Sequence, residues 1–423
     1  MSELALLGGK PVLTEPLSPY RSMGQRERAA VIEVMESDCL SGFYGSPGPE
    51  FFGGPKVREL EQAWCKTFEV PFSVSVNSAT SGLIAAMGAI GISPGDEVIV
   101  PPYTMSATAV APLFYGGIPV FSDIEPDTFC LDPSAVQSAL SPTTKAIIAV
   151  NLFGHPAQLH RLKKISEDAG IYLIEDNAQA PLASEHGRRC GTIGDIGIYS
   201  LNYHKHIHSG EGGMCVTGNE HLAQRLQLIR NHAENAVDWL DIADLNNLIG
   251  HNFRMTEVSA AIALTQLFDI EEHVRRREHI AKRLSSETTS LHGLSPPLVR
   301  NGCRHNFYCW VLRCEDTLGV ERHIFSQALL AEGFPNTEGY VKPLYYLPVF
   351  QKRIALGRNG FPFTLTKRTY SKGMCPTAEC MYEQEVLFFE PCAYDVDDET
   401  LDLLVKCIHK VHESRDDLAK LKS

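Results

Sequence analysis

The sequence predicts an α/β fold: a mostly parallel sheet, apolar on both faces and covered by helices, followed by a smaller α+β region. Three observations predict it. Short Val/Ile-rich runs recur through the first half of the chain, several are separated by segments of helical periodicity, and the runs are apolar throughout rather than alternating. Strands buried on both faces need that composition, and helices between them are the usual connection for parallel pairing.

In order, the strand runs are SVSV (73–76), EVIV (97–100), IPVF (118–121), AIIAV (146–150), IYLIED (171–176), GIYSL (197–201) and GMCVTG (213–218). Helical spacing marks 80–90, 156–169 and 220–232 between them. From 256 to 291 the rhythm stops, and apolar residues at helical intervals, with Glu and Arg clustered at 271–282, predict one long helix leading away from the sheet. The charge cluster reads as a solvated face. Beyond it come a strand-like FYCWVLRC (307–314), a helix near 322–332, a Tyr/Pro-rich loop at 340–349 and an amphipathic helix at 397–418. The expected organisation is an N-terminal arm (1–30), a large domain (31–255), a connecting helix (256–291) and a small C-terminal domain (292–423).

Composition narrows the function classes. Of 423 residues, 44% are hydrophobic and 21% charged, enough to bury a large core. A formal net charge of −13 opposes binding to nucleic acid. The 12 cysteines include no CxxC pair, which suits a reducing, cytoplasmic compartment rather than a disulfide scaffold or zinc ribbon. No run approaches the ~18 apolar residues of a membrane span, and the first residues do not read as a signal peptide. Neither GxGxxG nor GxxxxGK[ST] occurs, so neither a dinucleotide fold nor a P-loop is indicated.

Chemistry concentrates in IYLIEDNAQA (171–180) and GIYSLNYHKHIHSGEGGM (197–214). Asp176 and Ser200 end strand runs, where α/β folds place ligands. Lys205 follows five residues after Ser200, and the glycines at 210, 212 and 213 permit close backbone approach. A strand-end Asp alone can be a turn former, a loop Lys is usually solvated, and a glycine run can be only a turn. Together, an acid that can face a pyridinium nitrogen, a hydroxyl for phosphate and an amine that can form a Schiff base are the parts of a pyridoxal phosphate site.

These segments resemble the DegT/DnrJ/EryC/StrS sugar aminotransferases, within the aspartate aminotransferase-like (type I) fold class. The resemblance covers nearly the whole chain and rests on blocks in one order: ALLGGKPV at the start, SGFYG…FFGGPKVRELEQAWCKTFEV (41–70), NSATSGL (77–83), PPYTMSATA (101–109), GGIPVFSDIEPDTF (116–129), EDNAQA (175–180), SLNYHKHIHSGEGG (200–213) and GHNFRMTEVSAAIALTQL (250–267). It implies pyridoxal 5′-phosphate as cofactor, with pyridoxamine 5′-phosphate in the half-reaction. Residue by residue, it implies Lys205 as the lysine joined to the cofactor and Asp176 as the partner of the ring nitrogen. Gln179 matches the residue beside the ring and its 3-hydroxyl. Ser200 matches the phosphate-binding serine, and the turn Ala79, Thr80, Ser81 matches the phosphate-binding turn at a helix N-terminus, where free N–H groups and the helix dipole favour an anion. Asn252 matches an asparagine that reaches the phosphate across an interface, implying a homodimer with shared sites.

Two positions depart from the pattern. Met105 stands where relatives stack an aromatic residue on the ring; its sulfur can pack on a ring face, or Tyr103 can substitute. His204, His206 and His208 surround the lysine; extended, they would share one face as metal ligands do, but lining the cavity or packing is the simpler reading, and no metal is assigned. The implied reaction moves an amino group from L-glutamate, with L-glutamine as the second choice, to a keto sugar. The acceptor is a nucleotide-linked keto-deoxy sugar, a free keto sugar acid such as 8-oxo-3-deoxy-octulosonate, or a keto cyclitol, for lipopolysaccharide, other surface polysaccharide or antibiotic synthesis. Its wall is expected in 339–350 and near Arg254. A sugar dehydratase and a non-catalytic regulator on the same fold are the alternatives; retention of Lys205 with Asp176, Gln179 and Ser200 favours the transaminase.

Overall fold

The computed structural model describes residues 3–421; residues 1–2 of the expected arm and 422–423 of the C-terminal region lie outside them. Each of the seven apolar runs forms a strand: β1 Phe72–Val76, β2 Glu97–Val100, β3 Ile118–Phe121, β4 Thr144–Val150, β5 Tyr172–Asp176, β6 Ile196–Ser200 and β7 Gly213–Thr217. They form one sheet in the order β1-β7-β6-β5-β4-β2-β3, in which only β7 runs against the rest. The strands are buried along nearly their whole length, which is why they lack a polar face. The register sets Asp176 beside Val150 on one side and Ile198 on the other, at the carboxyl edge of the parallel strands.

Helices Ala79–Ala89, Leu159–Ala169 and Glu220–Arg230 cover the sheet. The expected helix at 156–169 begins three residues late, after the segment Pro156–Gln158.

The single connecting helix is corrected to two, Glu257–Phe268 and Ile270–Thr288. Asp269 separates them with φ −103° and ψ 7°, and its carboxylate is drawn outward to Arg26 at 2.6 Å. Aspartate breaks a helix readily because its short side chain finds partners outside it. Nor is the 271–282 cluster a plain solvated face. His273 and Arg277 are buried, and Glu271 and Glu278 both pair with Arg304.

The C-terminal residues build a second, antiparallel sheet in which Trp310–Cys314 lies between Leu294–Ser295 and Val386–Phe389, with Thr337–Glu338 on the outer edge. Helices Arg322–Ala331 and Asp398–Glu413 cover it around Trp310, Phe325 and Leu404, and the expected 397–418 helix ends in a separate turn, Arg415–Leu418. Of the strand-like run 307–314, only Trp310 onward is strand. Phe307 turns with φ +51°, so Tyr308 lies outside the regular ladder. The arm packs on this region: the Ala5 and Val12 N–H groups donate to the Glu332 carboxylate, and the Tyr20 N–H to the Ala393 carbonyl. Among the described residues, no helix is long and apolar enough to cross a membrane.

Candidate active site

A cavity of about 220 Å³ opens at the carboxyl edge of the sheet. Its first wall is the start of helix Ala79–Ala89. Ser78 Oγ accepts the Ser81 N–H at 3.0 Å, while Ala79 and Thr80, whose N–H groups have no intrahelical acceptor, line the cavity. Ser81 does not line this wall: its hydroxyl donates to Asn77 Oδ1 at 2.6 Å. Strand β7 runs directly beneath, and only glycine fits at 213, because a Cβ there would lie 2.7 Å from the Ala79 nitrogen.

The floor is Asp176, at the last residue of β5 and 6% exposed. Burial pushes its carboxyl above the ordinary range; the Thr108 hydroxyl at 2.8 Å, the Ala178 N–H at 3.2 Å and the nearby Lys205 amine oppose this. Gln179 is fixed at both ends, accepting the Phe153 N–H at 2.7 Å and donating to the Tyr340 hydroxyl at 2.7 Å. Ser200 ends β6 and accepts the Asn202 N–H at 3.3 Å. Asn202 Oδ1 is buried in the lining with no protein partner.

Lys205 rises from the turn after β6. Its amine points into the cavity, 3.5 Å from the Tyr308 hydroxyl and 4.5 Å from the centre of that ring. Burial pushes its pKa below the ordinary lysine value, and the Asp176 carboxylate works in the opposite direction. An amine whose pKa burial lowers and a carboxylate across one small cavity are suited to proton transfer and to holding a cationic ring.

The structure thus brings together Ala79, Thr80, Met105, Asp176, Gln179, Ser200 and Lys205. It leaves Asn252 out: that residue is exposed, its side-chain oxygen accepting from Arg254 Nε at 2.8 Å, and neither residue lines the cavity. Met105 stands at the mouth, 63% exposed. Tyr103 is no substitute for a stacking ring, because it is buried and its hydroxyl donates to the Gly339 carbonyl at 2.6 Å. The three histidines do not share a face, since 204–208 form a turn and not a strand. His204 lines the cavity, His206 is buried 3.4 Å from the Asn306 carbonyl, and His208 meets Ser22 at 3.0 Å.

Three lining or supporting groups escaped sequence reasoning: Thr108, Tyr308 and, within the expected 339–350 wall, the specific role of Tyr340. A threonine or tyrosine inside an apolar run looks like core, and only the fold shows which way it faces.

The family match is to the DegT/DnrJ/EryC1/StrS aminotransferases and spans residues 26–387. The spore coat polysaccharide biosynthesis protein SpsC of Bacillus subtilis is 31% identical, over 84% of this chain and 91% of that protein. The L-glutamine:2-deoxy-scyllo-inosose aminotransferase of Streptomyces kanamyceticus is 33% identical, over 84% of this chain and 85% of that protein. Among solved structures, DesV of S. venezuelae superposes with a TM-score of 0.79 at 26% identity, covering 94% of this chain and 99% of its own. With the match spanning most of its length and the sheet, helices and cavity in place, the chain belongs to the DegT/DnrJ/EryC1/StrS aminotransferase family.

Proposed function

We propose that this aminotransferase transfers an amino group from L-glutamate or L-glutamine to the ketone of a sugar or cyclitol, with Lys205 and Asp176 as its catalytic pair. The observation that carries the reading is the convergence of Lys205, Asp176, Gln179, Ser200 and the free N–H groups of Ala79 and Thr80 on one cavity.

These groups fit pyridoxal phosphate. The two N–H groups and Ser200 offer donors to a phosphate, the orphan Asn202 oxygen leaves the wall with unused polar capacity, and the buried Asp176 suits a cationic nitrogen. When bound, the cofactor supplies an electron sink for charge developing at the substrate Cα. The chain's residues do the rest. Asp176 is held by Thr108 and Ala178, so its carboxylate is fixed where it would face the ring nitrogen. Lys205 Nζ takes the proton from Cα of the donor and, in the second half-reaction, returns one to the carbon that receives nitrogen. Burial keeps that amine readier to shed its proton than a surface lysine.

The names of relatives such as the 2-deoxy-scyllo-inosose enzyme weigh toward a keto cyclitol, beside nucleotide-linked keto sugars and keto sugar acids. We read the molecule as a cytoplasmic homodimer in which Asn252 of one copy serves the other's cavity; its exposure outside its own cavity supports this. Amino-donor-charged protein incubated with a panel of keto cyclitols, nucleotide-linked keto sugars and free keto sugar acids tests the acceptor, with new amino products read by mass. No product from any of them, beside ready exchange between amino acids and 2-oxo acids, removes the sugar assignment.

A further inference from the structure

Tyr308 reaches the lysine from the other half of the molecule. It sits in the lead-in to strand Trp310–Cys314, just after Phe307 has turned through φ +51°, a conformation rare for a large side chain. That turn leaves the Tyr308 ring buried at 4% exposure and facing the large domain. Lys205 Nζ is 3.5 Å from the phenol oxygen and 4.5 Å from the ring centre, so it lies over the oxygen end of the ring. Behind the lysine, the buried Arg277 guanidinium lies 3.5 Å from the carbonyl oxygens of Lys205 and His206 and 3.0 Å from that of His273. The turn is therefore tied from its backbone side while the phenol meets its tip.

We propose that Tyr308 is a positioning residue whose phenol holds the free ε-amine of Lys205 at the cavity wall, ready to act, instead of leaving it to sweep the cavity. This rests on the reading of Lys205 as the lysine that works with the cofactor. The ring face and the phenol oxygen both favour the ammonium over the neutral amine. Other charged or titratable groups face Lys205 as well: Asp176 from β5, Glu390 and Cys392 from the loop after Val386–Phe389, Cys309 beside Tyr308, Arg277 behind, and His204 and His206 on its own turn. None of them is substituted when Tyr308 alone is replaced, so the titration of Lys205 is compared against the same set of groups.

The test uses Tyr308→Phe and Tyr308→Leu in the full-length chain. Lys205 is titrated in cofactor-stripped protein by competitive acetylation across pH, quantified on its own peptide by mass spectrometry. The expected result is a Lys205 pKa lower by about one unit in Tyr308→Leu and by about half a unit in Tyr308→Phe. In the loaded enzyme, kcat falls in both variants while KM for the amino donor holds. A Lys205 titration identical to wild type in both variants overturns the proposal. If circular dichroism shows Tyr308→Leu unfolded, the near-isosteric Tyr308→Phe decides alone, and an unshifted titration there overturns it equally. Borohydride reduction of the same loaded preparations keeps the two readings apart. A tag on Lys205 with unmoved titration rejects the clamp alone, and a tag elsewhere rejects the lysine's role with it.

Discussion

Thr108 shows how much a buried carboxylate depends on a neighbour. With the Thr108 hydroxyl at 2.8 Å removed by Thr108→Val, Asp176 keeps only the Ala178 N–H at 3.2 Å, and burial then pushes its carboxyl further up. A hydrogen bond to a charged group contributes about 1.5–3 kcal/mol, so kcat should fall roughly tenfold or more while the fold is retained. Steady-state kinetics of purified Thr108→Val measure it; an unchanged kcat would show that Asp176 does not depend on this donor. The sequence made Asp176, Gln179, Ser200 and Lys205 legible because each stands at a strand end or in a glycine-flanked turn. Thr108 and Tyr308 were not legible, because each sits in a run whose composition reads as packing. Ser81, expected in the phosphate turn, spends its N–H on Ser78 and its hydroxyl on Asn77.

At the level of elements, the junction between β7 and helix Ala79–Ala89 constrains the end of the cavity proposed for the phosphate. Gly213→Ala would place a methyl group 2.7 Å from the Ala79 nitrogen, and backbone at that distance must move. The two N–H donors move with it, so pyridoxal phosphate affinity should weaken about tenfold, measured by equilibrium dialysis. Wild-type affinity would mean that the helix N-terminus does not bear on the phosphate. The strands were readable to within a residue or two because burial on both faces forces a continuous apolar run. The break at Asp269 was not readable, since a single aspartate interrupts helical periodicity too briefly to show. Asp269 also pairs with Arg26 from near the start of the chain, a contact no local pattern contains.

Across the whole molecule, three buried histidines make stability depend on acidity. Burial holds His155 at about 4, and pushes His206 and His305 well below the ordinary histidine value. The unfolded chain takes up these protons first as pH drops below about 6.5, so stability is full above that value and lost on acidification. His155 alone should cost about 2 kcal/mol between pH 7 and pH 5. Urea denaturation at the two pH values checks it; equal midpoints would contradict the buried, neutral assignment. The homodimer reading makes a separate prediction. Lys205→Ala and Asn252→Ala chains, each inactive or impaired alone, should recover activity when refolded together, because a mixed dimer holds one site with both residues intact. No recovery in a mixture shown to contain mixed dimers would mean that Asn252 does not cross the interface.

The covalent chemistry of one nitrogen, Lys205 Nζ, decides the role of this site. Purified protein with pyridoxal phosphate is reduced with borohydride, digested and mapped. A single pyridoxyl tag is expected on the peptide carrying Lys205, and it is lost in Lys205→Ala. A tag on another lysine, or none at all, contradicts that role.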